Sequence, residues 1–404
     1  MTQPIPRRHP AAPRPVPIGI AVVGRMLGIS GPDAAEFQRL GELLMVGDPL
    51  MDSFVDWMTA EGSKSVRPLF EQALAHGIDS VPDAPAPLHD LFTGLEATPD
   101  WVEPERLRIA AATMRSGGAD GLYIARDVAL LGGYQFAGFN QTLLRTGALE
   151  KGSNTRFAET SQWAMDVIAP GGLDKFGPGY RSTIRVRLIH SMVRRHVEAM
   201  PDWDDAQWGL PINQTDMAAT IVGALVAPSV GGIGLGLINR PSEYQAIAHL
   251  TRYVGWLIGV RDDLLPTDFH DALRLLMHTS AALATPDETS KRLAQPMADD
   301  PLQWRYPHFQ ELRRRIARSQ HLSISAGFLG PSAMATLGLP TRTLPWYHAI
   351  AVPRNLVKSG IGVLPGGRRR LAAHGRRDAL GFMATMTPAP ATIGETTTVA
   401  EHVA

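Results

Sequence analysis

The sequence predicts an all-α fold on three observations. Apolar residues recur at helical spacing over most of the chain, Pro and Gly close the segments, and the evenly spaced alternating runs that would signal sheets are missing. With 404 residues, 44% of them hydrophobic, the chain can bury a substantial core. No clear linker interrupts its middle, so a single large helical domain over about 30–380 is the economical reading. Residues 1–29 read as a disordered Pro-rich leader, and 381–404, rich in Thr, Ala and Pro, as a solvated tail.

The periodicity places helices at about 33–46, 49–60 and 65–76, followed by a loop at Asp83-Ala-Pro-Ala-Pro87. Thr98-Pro-Asp-Trp101 reads as a start signal for a helix over 104–115, and a long one follows over 119–146. The next two are well delimited. One spans 155–168, capped by Ser153 or Asn154 and ended by Ala169-Pro-Gly-Gly172; the other spans 179–199, entered through Gly177-Pro-Gly179 and stopped at Met200-Pro201. The short turn between them makes them neighbours. Further helices are expected at 214–226, 241–260, 267–284, 305–327 and 343–357.

Composition narrows the function classes. With 39 basic and 39 acidic residues, no global field draws the protein to nucleic acid or to an anionic membrane. With no cysteine, disulfides, iron–sulfur clusters and thiolate-ligated metals are excluded, so a metal here would use His, carboxylate or another oxygen. The apolar run Ile18–Gly24 is too short to span a bilayer, and no segment reaches the ~18 uninterrupted apolar residues of a spanning helix. The expected location is cytoplasmic, with Arg7-Arg8 leaving an export signal as the alternative.

The two central helices carry the most informative residues. Arg156, Thr160, Trp163 and Val167 share a face of the first, with Glu159 at its edge. On the second, Arg187, His190 and Arg194 fall within a narrow arc beside Val186, Val193 and Val197, while His196 lies on the opposite side. Two readings stand at this point. Either His190 is a satisfied histidine on a solvated Arg-rich helix, or it is the axial ligand of a haem iron with the flanking arginines facing propionates. In the second case Glu159 and His190 are expected on opposite walls of one cavity.

Other motifs have competing readings too. Arg261-Asp262-Asp263 with Asp268 resembles the Mg²⁺-holding carboxylates of terpene synthases, but Pro266 favours a helix end where Asp268 caps the next helix. Gly231-Gly-Ile-Gly-Leu-Gly236 reads as a close helix crossing, beside a flat cofactor in one version. Asn213, Gln214 and Asp216 read as residues that fix a loop and cap a helix.

Taken in order, Arg156 to Thr160, Arg187-x-x-His190-x-x-x-Arg194, Gly209-Leu-Pro-Ile-Asn213-Gln214-x-Asp216 and Tyr253-Val-Gly-Trp256-Leu-Ile-Gly-Val260 resemble the latex-clearing protein (rubber oxygenase) family. Fungal oxygenases that shorten a farnesyl chain are among its relatives. The resemblance implies an all-α fold with a globin-like core, one haem b, and dioxygen-dependent attack on an isoprenoid-like alkene. It makes His190 the proximal ligand, Arg187 and Arg194 its flanking arginines, and Arg156 and Thr160 residues of the distal helix.

The chain departs from the pattern at two points. Glu159 stands where the family has a distal lysine, and the family's catalytic glutamate falls near Asn140 or Gln141. Glu159 is then expected either to have a raised pKa and act as acid or base, or to be held ionised by Arg156. The expectation is a haem-dependent oxygenase on a small apolar substrate, polyisoprene being disfavoured. A non-catalytic haem-binding sensor and a Mg²⁺-dependent cyclase are the alternatives.

Overall fold

The computed structural model describes residues 4–387, without the side chains of residues 148 and 150, and among the described residues it contains helices and no strand. The all-α expectation holds. Helix α1 spans Ile18–Met26 and α2 Ala34–Glu42. Asp48 caps α3 (Pro49–Glu61) by accepting from the Met51 amide, with Pro49 at the first helical position. There follow α4 (Ser63–His76), α5 (Ala86–Glu96) and α6, which opens on Pro104 and runs to Ser116.

The long helix expected over 119–146 is broken. Helix α7 (Gly118–Ile124) passes through a π-helical stretch, Ala125–Leu130, into the single turn α8 (Leu131–Gly133), and α9 (Ala137–Arg145) starts afresh. The short α10 (Ala148–Lys151) precedes α11 (Ser153–Val167) and α12 (Pro178–Glu198), close to their expected bounds. After α13 (Asp205–Trp208), Asn213 caps α14 (Gln214–Leu225), and α15 (Ala227–Gly234) follows almost without a break. The stretch Gln214–Gly234 is long and apolar enough to cross a membrane by length and composition alone, but Met217, Ile221, Val222 and Leu225 are buried in the core. The remaining helices are α16 (Pro241–Leu257), α17 (Phe269–Ala282), α18 (Glu288–Asp299), α19 (Gln310–Thr336, interrupted at Gly330-Pro331), α20 (Trp346–Val363) and α21 (Gly367–Met386).

Two large apolar clusters, with two smaller ones beside them, hold these helices together, and α11 bridges the large pair. Its Trp163 and Val167 belong to the larger cluster, which takes in Phe54, Phe70, Phe92, Ile184, Val222 and Leu250. Its Phe157 and Ala158 belong to a second cluster with Met297, Trp304, Phe382 and Met386. Every apolar residue so placed leaves water, at roughly 25 cal/mol per Å² of apolar surface.

Both ends depart from the sequence expectation. The leader is not free: Arg8 is buried, its Nη2 2.7 Å from Asp216 Oδ2, and the Arg7 and Arg8 amides donate to the Ala206 and Gln207 carbonyls. Arg14 donates to the carbonyls of Leu283 and Ala284, so the arm is sewn onto α13, α14 and the end of α17. A cation satisfied by a buried carboxylate, with backbone pairing on either side, outweighs the cost of ordering a Pro-rich segment. At the other end α21 runs through residue 381, the expected start of the tail, and buries Phe382, Met383 and Met386. Residues 388–404 of that tail lie outside the described residues.

Candidate functional site

Helices α11 and α12 are neighbours as expected, pinned near their connecting turn by Trp163 Nε1 donating to Thr183 Oγ1 at 3.0 Å in buried surroundings. Beyond that contact α11 carries Thr160, Glu159 and Arg156, and α12 carries Val186, Arg187, His190 and Arg194. The spacing of 3.6 residues per turn sets both stripes.

His190 is half-buried, and the helix that carries it is clamped on both sides. Arg187 makes a fork onto Asp48, Nε to Oδ2 at 2.6 Å and Nη2 to Oδ1 at 2.8 Å, with its side chain 9% exposed and that of Asp48 5%. Arg194, buried, pairs with Asp52 and donates to the carbonyls of Pro211 (3.1 Å) and Ile212 (2.7 Å). Ser191 also donates to Asp52, at 2.6 Å. Two planar guanidiniums each take a carboxylate of α3 and its leading loop, so α12 cannot rotate about its axis without breaking buried ion pairs.

The neighbouring loop is packed to match. Gln214 donates to the carbonyls of Gly47 and Gly259 and accepts from the Arg261 amide. Gly259 has φ +90°, and a Cβ there would collide with Asp48 Oδ2 and Arg187 Nε, so the position requires glycine on two counts. Asn213, Gln214 and Asp216 do the loop-fixing and capping read from the sequence.

Glu159 forms an ion pair at 2.9 Å with Lys151 of α10, both side chains about one-quarter exposed, at 24% and 21%. Lys151, not Arg156, is therefore the cation that meets Glu159. Thr160 is exposed and donates to the Arg156 carbonyl at 3.1 Å. Arg156 is half-buried, and its charge opposes the upward push that burial gives the Tyr134 phenol. Asn140 donates to Tyr134 O and Thr289 Oγ1, and Gln141 to Asp287. Neither position supplies a carboxylate.

A further polar group, unforeseen in the sequence, lies on the π-helical stretch and the helices around it. His321 Nδ1 is 2.5 Å from Asp127 Oδ2, and Arg126 Nη1 donates to Asp127 Oδ1 at 2.6 Å. Arg126 also faces Asp300, which accepts from Ser153 at the start of α11. Burial lowers the His321 pKa and raises that of Asp300 to about 6. Trp304, Tyr123 and Phe382 enclose the imidazole, which makes this a core network that fixes the first turn of α11.

The weaker motifs take their structural readings. Asp268 caps α17, Asp263 pairs with Arg261 and Arg39, and a Cβ on Gly231 or Gly234 would strike Ile124 or Phe328, the mark of a close helix crossing. Among the described residues no three His, Asp or Glu converge as a metal cluster. An iron held chiefly by a macrocycle asks the protein for one neutral nitrogen, and a half-buried imidazole on an immobilised helix fits that demand. The arginines fit it less directly, because their charges are already met by Asp48 and Asp52.

Residues 122–355 match the family described as ER-bound oxygenase mpaB/B'/Rubber oxygenase, catalytic domain. The whole fold is similar to the structure of latex clearing protein LCP in the closed state, at a TM-score of 0.63 and 16% identity, over 82% of this chain and 88% of that one. No curated protein matches the sequence.

Proposed function

Because the chain belongs to the mpaB/rubber oxygenase catalytic-domain family, we propose that it is a haem b-dependent oxygenase that uses dioxygen on a small, apolar, isoprenoid-like alkene, with His190 as the iron ligand. The observation that carries this reading is His190 itself, a half-buried imidazole on a helix locked by the Arg187–Asp48 and Arg194–Asp52 pairs. Haem, when bound, supplies an iron at which dioxygen is activated.

In this reading Arg187 and Arg194 are positioning residues that set the rotation of α12, in place of the propionate partners expected from the sequence. The Glu159–Lys151 pair keeps an ammonium on the α11 side even though the residue at the distal position is a carboxylate. Arg156 and Thr160 complete that wall. A cytoplasmic location belongs to the same proposal.

Absorption spectroscopy of the haem-reconstituted protein tests the assignment. A Soret band is expected, and it should shift or vanish in His190→Ala; no band, or one indifferent to the substitution, sinks it. Product formation from short isoprenoid alkenes under oxygen tests the oxygenase activity.

A further inference from the structure

The face of α11 that turns away from α12 opens onto a cleft of about 1100 Å³ measured out to bulk solvent. Ala164, Met165 and Ile168 line it from α11, whereas Trp163, one residue away, packs against α12. At 100° per residue the cleft and the His190 helix lie on different sides of α11. His190, Glu159 and Arg187 are not among the residues that line it.

Its chemistry is two-fold. Leu122, Met165, Leu225, Ile247 and Leu371 make apolar walls, contributed by five different helices. The charged lining is cationic: Arg115, Lys358, Arg368 and Arg376 line the cleft beside neutral residues such as Thr113, Ser229 and Asn239, and no Asp or Glu does. In a chain whose basic and acidic residues balance at 39 each, that segregation is a local feature and not an overflow of global charge.

The four cations are not equally committed. Arg368 forks onto Glu243 and donates to Ser116, and Lys358 stands 3.9 Å from Asp120. Arg115 and Arg376 have no carboxylate partner among the described residues. Both line the cleft, and the Arg376 charge adds to burial, the larger cause, in lowering the Arg115 pKa. Arg115 spends one N–H on the Ile168 carbonyl, at the end of α11. Two like charges beside an apolar cavity repel each other, and an anion between them relieves the repulsion.

We propose that this cleft is a binding site for an amphipathic anion, a molecule with one long apolar chain that fills the cavity and a carboxylate or phosphate head held by Arg115 and Arg376. The site stands apart from His190 and does not depend on the assignment of haem. The chain displaces water from the walls, and the head selects for charge.

The experiment is titration of the full-length protein with the fluorescent fatty acid cis-parinaric acid, followed by displacement with oleate, oleyl alcohol, farnesyl diphosphate and inorganic phosphate. Saturation at one probe per chain is expected, with oleate at least about tenfold stronger than oleyl alcohol. Farnesyl diphosphate against oleate tells a phosphate head from a carboxylate. Arg376→Glu, at an exposed position where folding is safe, should weaken oleate at least about tenfold and leave oleyl alcohol unchanged. Ala164→Trp should block the probe, and His190→Ala should not. Equal binding of acid and alcohol, an Arg376→Glu variant indistinguishable from the parent, or displacement by inorganic phosphate alone would each overturn the proposal.

Discussion

Asp48 does three jobs with two oxygens: it caps α3, it takes the Arg187 fork, and it closes against Gly259. Asp48→Ala leaves a guanidinium buried without its counter-charge, so urea unfolding should show a loss of about 3–5 kcal/mol, part of it recovered when Arg187→Met is added. Glu159→Gln makes the opposite case. Its pair with Lys151 is partly solvated, so stability should change by no more than about 1 kcal/mol, and a large drop in turnover at unchanged stability would mark a chemical role. His190 and the two arginines were legible because helical spacing alone puts them in one arc. Asp48 and Asp52 were not legible as their partners, since a carboxylate some 140 positions upstream carries no local sign of the guanidinium it will meet. Lys151 is hidden for a nearer reason: it sits beyond a helix break, where 3.6-residue spacing no longer says which side chains converge.

Helices delimited by local chemistry were readable, and those delimited by packing were not. α6, α11 and α12 begin and end at Pro, Gly or a cap, and their observed bounds fall within two residues of the expected ones. The segment 119–146 keeps its apolar spacing, but the π-helical stretch turns Arg126 and Asp127 into the core to meet His321 and Asp300, which periodicity cannot anticipate. The sequence shows α21 only as the end of a domain, because its arginines mask the apolar face of Ala372, Ala379 and Phe382. The turn into α9 depends on a close approach: a Cβ on Gly138 would occupy the place of the Arg8 guanidinium. Gly138→Ala should therefore expel Arg8 from Asp216, destabilise the protein by about 1–3 kcal/mol, and make the N-terminal arm sensitive to limited proteolysis.

Across the whole molecule, the ion network at Asp300 ties the start of α11 to α19 and to the π-helical stretch, so its titration is a property of the assembled fold. Burial raises the Asp300 pKa from 3.8 to about 6, against the pull of Arg126 and Ser153. The folded state thus favours the protonated carboxyl. The stability this contributes is full below about pH 3.8 and is lost as pH rises through about 6, to a total of roughly 3 kcal/mol. His321 runs the other way, since its lowered pKa contributes stability above about 6.5 that is lost on acidification. Unfolding measured from pH 4 to 7 should therefore show a steeper upward trend with pH in Asp300→Asn than in the parent, because only the opposing contribution has been removed. A parallel pair of curves would place the Asp300 titration outside this range.

The N-terminal arm also constrains the order in which the protein can be made. Residues 7–14 leave the ribosome well before their partners, Asp204, Asp216 and the Ala281–Ala284 carbonyls, which follow some 200 to 270 residues later. At roughly 5–20 residues per second the arm waits tens of seconds for its binding surface to exist. Its docking must await that surface although it is synthesised earlier, and refolding should show it as a late step, after the larger apolar cluster that builds the surface has formed.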